Sequence, residues 1–123
     1  MKNKTFRKGG FTLVEIMIVV AIIGLLAAIA IPNFVKARTT AQANACINNL
    51  RQMDGAAQQW ALETKQPGTA NVGTTDITPY IKLDSTGNLP GCPGGGSYNT
   101  PWALVAHPTC TLASQTAAPH ALP

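Results

Sequence analysis

The feature that most constrains this chain is an apolar run near its start, "FTLVEIMIVVAIIGLLAAIAI", residues 11–31. It carries a single charge, Glu15. As a helix it would be roughly 31 Å long, which matches the hydrocarbon thickness of a bilayer. If it lies in lipid, the rest of the 123 residues can form only one small domain. A domain of that size needs a disulfide, a metal or neighbouring subunits to be stable.

Charge is distributed to suit this reading. Lys2, Lys4, Arg7 and Lys8 all precede the apolar run. From Phe11 onward, Lys36, Arg38, Arg51, Lys65 and Lys82 are balanced by Glu15, Asp54, Glu63, Asp76 and Asp84. The net charge of +4 therefore belongs to the leader, and nucleic acid is not an expected partner. A basic cluster ahead of an apolar run keeps the N-terminus cytoplasmic and sends the C-terminus across.

Gly24 lies inside the run and Pro32 ends it, so a kink or local melting is expected there. Beyond Pro32 the helical pattern continues. Ala43, Cys46, Leu50, Met53, Ala57 and Trp60 recur at steps of three and four, widened by Ile47 and Ala61, with Gln42, Asn49, Gln52, Gln59 and Glu63 on the other side. This predicts an amphipathic helix with one buried face, stopped by "KQPG" at 65–68. Residues 65–91 read as a connecting loop in which "TDITPYIKL" holds one helical turn, pinned by Ile77, Tyr80, Ile81 and Leu83. The short runs "GSYNT", "WALVA" and "TCTL", separated by Pro101 and Pro108, predict an antiparallel meander with turns near Thr100 and His107. The class is α+β. Residues 113–123 read as a flexible tail.

The stretch "KGGFTLVEIMIVVAIIGLLAAIAIPNF" resembles the N-terminus of type IV pilins and type II secretion pseudopilins. The resemblance implies a pilin-like fold, with a long N-terminal helix packed on a small antiparallel sheet. It divides the chain into a leader (1–10), a membrane and assembly helix (11–34), a globular domain (35–112) and a tail (113–123). It further implies cutting by a prepilin peptidase between Gly10 and Phe11, and N-methylation of Phe11. The subunit would wait in the inner membrane with its C-terminal domain outside the cytoplasm. An assembly platform and a cytoplasmic ATPase would then drive it into a helical homo-oligomeric filament. "ACINNLRQMDGAAQQWALE", "CPGGGSY" and "PTC" are also similar to a subgroup of small pseudopilin-like proteins.

Glu15 fits this scheme on physical grounds. A charge within a membrane helix is costly and normally has a partner. Cutting after Gly10 creates an amine on Phe11, four residues away, or about 6 Å along the axis. Between staggered neighbours in a filament the two groups could pair directly and fix register. Two other readings compete. "AIA" at 28–30 resembles a secretory cleavage site, which would release a soluble protein beginning at Ile31. A minor pilin at a filament tip would act instead as a binding module.

Export makes a disulfide plausible among Cys46, Cys92 and Cys110. The favoured pair is Cys92–Cys110, whose loop of roughly 19 residues would restrain the unfolded chain by about 3 kcal/mol. Cys46–Cys92 and Cys46–Cys110 are the competitors, and an unpaired Cys46 would be a small buried hydrophobe. "GCPGGGSY" lacks the Lys-Ser/Thr ending of a phosphate loop and reads as a turn entering a strand. Trp60 and Trp102 read as core aromatics. His107 and His120 have no companions at ligand spacing, so no metal is expected. Some major pseudopilins hold calcium in their C-terminal loops, but Asp76 and Asp84 alone are too few acids for such a cage. No catalytic arrangement or cofactor site is legible, and the expected role is structural.

Overall fold

The computed structural model describes residues 9–115 and 118–123. The basic leader charges at Lys2, Lys4, Arg7 and Lys8 lie outside the described residues. The chain divides into two compact units, Met1–Lys36 and Ala37–Pro123.

After the non-helical residues 9–12, helix α1 begins at Leu13 in the first unit and continues to Thr64 in the second. α1 is helical through Gly24 and Pro32. Pro32 cannot donate to the carbonyl of Ala28. In the same turn the Asn33 side-chain amide donates to the Ile29 carbonyl at 3.1 Å. In the described part of this unit only Ala27 is partly shielded, and the large apolar side chains from Phe11 to Val35 are exposed.

In the second unit, α1 buries Ala43, Cys46, Leu50, Met53, Ala56, Ala57 and Ala61. This is the stripe that the three-and-four spacing predicts, with Trp60 and Ile47 at its edges. After Thr64 the chain turns, and Lys65 takes a left-handed φ of 55°. Residues 65–91 contain more structure than a connecting loop. Strand β1 (Asn71–Val72) is followed by the single turn α2 (Thr74–Ile77) and a 3₁₀ turn (Thr78–Tyr80). Asp76 starts α2 by accepting the Gly73 N–H at 2.8 Å. Asp84 folds its own loop by accepting the N–H groups of Thr86 (2.8 Å) and Asn88 (2.9 Å).

The predicted meander is corrected. β2 (Trp102–Ala103) pairs with β1 rather than with its sequence neighbours, in the antiparallel register Asn71↔Ala103 and Val72↔Trp102. Tyr98 and Cys110 form an isolated antiparallel bridge. The ladder beside that bridge is partly completed by side chains. Asn99 Oδ1 accepts the Thr109 N–H at 2.6 Å, and Thr111 Oγ1 accepts the Ser97 N–H at 3.1 Å. Short polar side chains that substitute for the backbone in this way shorten the sheet.

Two apolar clusters hold the unit together. The first joins Met53, Ala56, Ala57 and Ala61 to Val72, Ile77, Trp102 and Leu104, with Trp60, Tyr80, Ile81 and Leu89 at its margin. Trp102 is therefore a core residue, and Trp60 packs against the core at its margin. Leu89 occupies the margin where Leu83 was expected. The second cluster joins Cys46 and Leu50 to Cys92 and Cys110, with Tyr98, Leu112 and Leu122 around them.

The C-terminal segment is not the frayed tail that its composition suggests. Ala118 and His120 are buried, and the His120 N–H donates to the Leu112 carbonyl at 3.3 Å.

Candidate functional site

Gly9, Gly10, Phe11 and Thr12 precede the first helical residue and are exposed. The Gly10–Phe11 bond therefore lies in non-helical, accessible backbone. Glu15 occupies the first turn of α1, where its carboxylate Oε2 accepts the backbone N–H and the hydroxyl of Thr12, each at 2.8 Å. The Thr12 hydroxyl oxygen accepts the Glu15 N–H at 3.3 Å. This is a reciprocal capping box, in which a threonine and a glutamate three residues later satisfy each other's orphan donors. The signal T-x-x-E for this box stands in the sequence at 12–15. The helix N-terminus also favours the carboxylate electrostatically.

A second constellation lies in the globular unit. Cys46 Sγ, Cys92 Sγ, Cys110 Sγ and a ring nitrogen of His120 all lie within 4.8 Å of one another. Cys92 Sγ is 3.2 Å from His120 Nδ1. Cys46 comes from α1, Cys92 from the start of a glycine-rich turn, Cys110 from the bridge to Tyr98 and His120 from the folded-back C-terminal segment. All three cysteines are free thiols in this structure. His120 does have companions, contrary to its sequence spacing, because the fold gathers Cys46, Cys92 and Cys110 around it from separate parts of the chain.

Burial is the main cause pushing the Cys46 thiol up to about 12, reinforced by Cys92 and Cys110. Burial also works to raise Cys92. There it is overcome by the bond from Cys46, the amides of Gly94 and Gly96, and His120, which together bring the thiol down to about 7.

The glycine run is what lets the cluster close. The turn Cys92–Gly95 is sealed by the Gly95 N–H donating to the Cys92 carbonyl at 3.0 Å, and Gly95 has a left-handed φ of 84°. A Cβ on Gly94 would lie 2.7 Å from His120 Cε1, and one on Gly96 2.7 Å from Cys110 Sγ. α1 grips the same loop with side chains that the pattern had assigned to the far face. Asn49 Nδ2 donates to the Gly91 carbonyl at 3.1 Å and to Tyr98 Oη at 3.2 Å, and Gln42 Nε2 donates to the Pro93 carbonyl at 3.2 Å. Gly96→Ala is expected to overpack the cluster and cost about 1–3 kcal/mol, read as a lowered melting temperature. Gly91→Ala, which meets nothing within 4 Å, should leave that temperature nearly unchanged.

Two further polar pairs lie at the periphery. His107 Nδ1 lies 3.2 Å from Asp54 Oδ1 on an exposed face, and Tyr80 Oη donates to Glu63 Oε2 at 2.6 Å.

A bare apolar helix with a capped, accessible N-terminus, continued by a small α+β domain, defines a class of membrane-length, helix-led subunits. The family profile described as the prokaryotic N-terminal methylation motif matches residues 5–31. The chain is 49% identical over 57 residues to the type IV major pilin protein PilA of Myxococcus xanthus, covering 46% of this chain and 26% of that protein. It is 37% identical over 105 residues to a type IV major fimbrial protein FimA of Dichelobacter nodosus, covering 85% of this chain and 59% of the relative. It is 30% identical over 102 residues to the type II secretion system core protein G of Klebsiella pneumoniae, covering 75% of this chain and 73% of the relative. The chain thus spans less than two thirds of the length of the type IV pilins it matches. No solved structure matches it. The chain belongs to the family of type IV pilins and type II secretion pseudopilins, and its long N-terminal helix with a small antiparallel sheet is the pilin-like arrangement.

Proposed function

We propose that this chain is a structural subunit of a helical filament, of the type IV pilus or type II secretion pseudopilus kind, and not an enzyme. One observation carries the reading. The described segment from Phe11 to Val35 is long enough to cross a membrane, and its large apolar side chains are exposed in the isolated subunit. Such a surface is stable in lipid or against other copies of itself, and not in water. The subunit would be held in the inner membrane with its C-terminal domain outside the cytoplasm, and would then be transferred to the filament core. The transfer needs an assembly platform and a cytoplasmic ATPase.

Processing between Gly10 and Phe11, with methylation of the new Phe11 amine, is supported by the match to the methylation motif and by the accessible, non-helical backbone at that bond. Cleavage after Ala30 would instead require opening α1 in its interior. Glu15 would first serve as the cap of its own helix and then pair with the Phe11 amine of a neighbouring copy. Gly24 and Pro32 mark where α1 would loosen as helices pack.

Expressed with the filament machinery of its host, the chain should appear in the sheared filament fraction and be labelled along filaments by immunogold microscopy. Recovery only as a soluble protein beginning at Ile31 would overturn the proposal.

A further inference from the structure

We infer that Cys46, Cys92, Cys110 and His120 form a structural zinc site that ties the C-terminal segment and the glycine-rich turn to helix α1. The donor set is three sulfurs and one imidazole nitrogen, converging from four separate parts of the chain. Structural zinc is bound tetrahedrally by such sets and by little else, with Zn–S near 2.3 Å and Zn–N near 2.0–2.1 Å. Ligand atoms around that ion lie roughly 3.3–3.8 Å from one another. The mutual separations here, all within 4.8 Å, and the 3.2 Å between Cys92 Sγ and His120 Nδ1 need only small adjustments to reach that geometry.

Three further features point the same way. Cys46, Cys110 and His120 are almost fully buried, and Cys92 is 8% exposed, so the site is closed, as structural zinc sites are. Gly94 and Gly96 leave out the Cβ atoms that would collide with His120 and Cys110, which keeps two of the donors in place. The set also accounts for every cysteine in the chain. A disulfide would consume two thiols and leave the third, with the histidine, buried against it without a role. The unit itself is small, with two apolar clusters of modest size, and domains of this kind are commonly stabilised by a metal. On binding, the thiols release their protons to solvent as Zn–S bonds form, and no sulfur changes oxidation state.

The test uses the full chain, purified in detergent without chelator and under anaerobic conditions. Elemental analysis should find about one zinc per chain. Replacement by Co²⁺ should give the intense thiolate-to-cobalt charge-transfer absorption of a tetrahedral sulfur-rich site. His120→Ala removes a ligand near the end of the chain, and Cys46→Ser removes one from α1. Each should weaken zinc binding by more than the roughly 10–100-fold that loss of an outer-shell partner costs. Since each substitution also removes a tie within the unit, the Co²⁺ spectrum of the unmodified chain stands as an independent readout of the site. A zinc-free chain whose non-reduced mass shows a disulfide would overturn the site. So would a reduced chain that takes up neither Zn²⁺ nor Co²⁺, or a His120→Ala chain that binds zinc as tightly as the original.

Discussion

Glu15→Gln is expected to be cut and methylated like the original chain and to be nearly absent from filaments, with sheared yield reduced by more than about tenfold. The substitution separates the capping role seen in the structure from the registry role proposed for the same carboxylate. As the third residue of a capping box, glutamine can replace glutamate, so the bonds with Thr12 and the start of α1 should survive. What disappears is the charge, and with it the attraction to the Phe11 amine of a neighbouring subunit. Glu15→Ala removes both functions. If the glutamine variant assembled normally while the alanine variant did not, Glu15 would be a helix cap alone. The registry role would then be abandoned. Quantitative immunoblotting of sheared filaments against the membrane fraction supplies the ratio.

Met53→Ala should strongly destabilise the first apolar cluster. Met53 is fully buried on α1, where it shares that cluster with Val72, Ile77, Trp102 and Leu104. The elements it joins come from distant parts of the chain and have little regular structure of their own to fall back on. Truncating a buried methionine to alanine costs about 2–5 kcal/mol, against a total of about 5–15 kcal/mol for a typical domain. For a unit of this size each kcal/mol lowers the melting temperature by roughly 4–8 °C, so a fall of at least about 8 °C is expected. The full chain in detergent, followed by tryptophan fluorescence, reports this directly, because both tryptophans lie in or beside the same cluster. Leu62→Ala on the same helix is the control. Leu62 is 80% exposed, and its loss should change stability by no more than about 0.5 kcal/mol.

The sequence revealed most where one physical rule dominated. The apolar run and the stripe from Ala43 to Ala61 follow from helical periodicity, which reports burial without knowledge of the partner. The sheet was harder to read because its pairing is non-local. "WALVA" looks like a strand, but it pairs with Asn71–Val72, two residues with no alternating pattern to mark them. The cysteine cluster was illegible for the same reason. Its members are at positions 46, 92, 110 and 120, and no spacing rule links a helix, a turn, a bridge and a C-terminal segment. Composition also misled at the tail. "ASQTAAPHALP" has the small residues of a frayed end, yet His120 is only 3% exposed. The capping box was readable at Thr12 and Glu15, but the charge of Glu15 in an apolar run drew the reading toward distant partners instead.

The filament role depends most on where the mature chain begins. Intact mass and N-terminal sequence of the protein taken from the membrane fraction of its own host would decide this. A filament subunit requires a chain starting at N-methylated Phe11, with the leader through Gly10 removed and α1 retained. A chain starting at Ile31 would contradict it, because the apolar helix that the proposed filament is built from would then be missing from the mature protein.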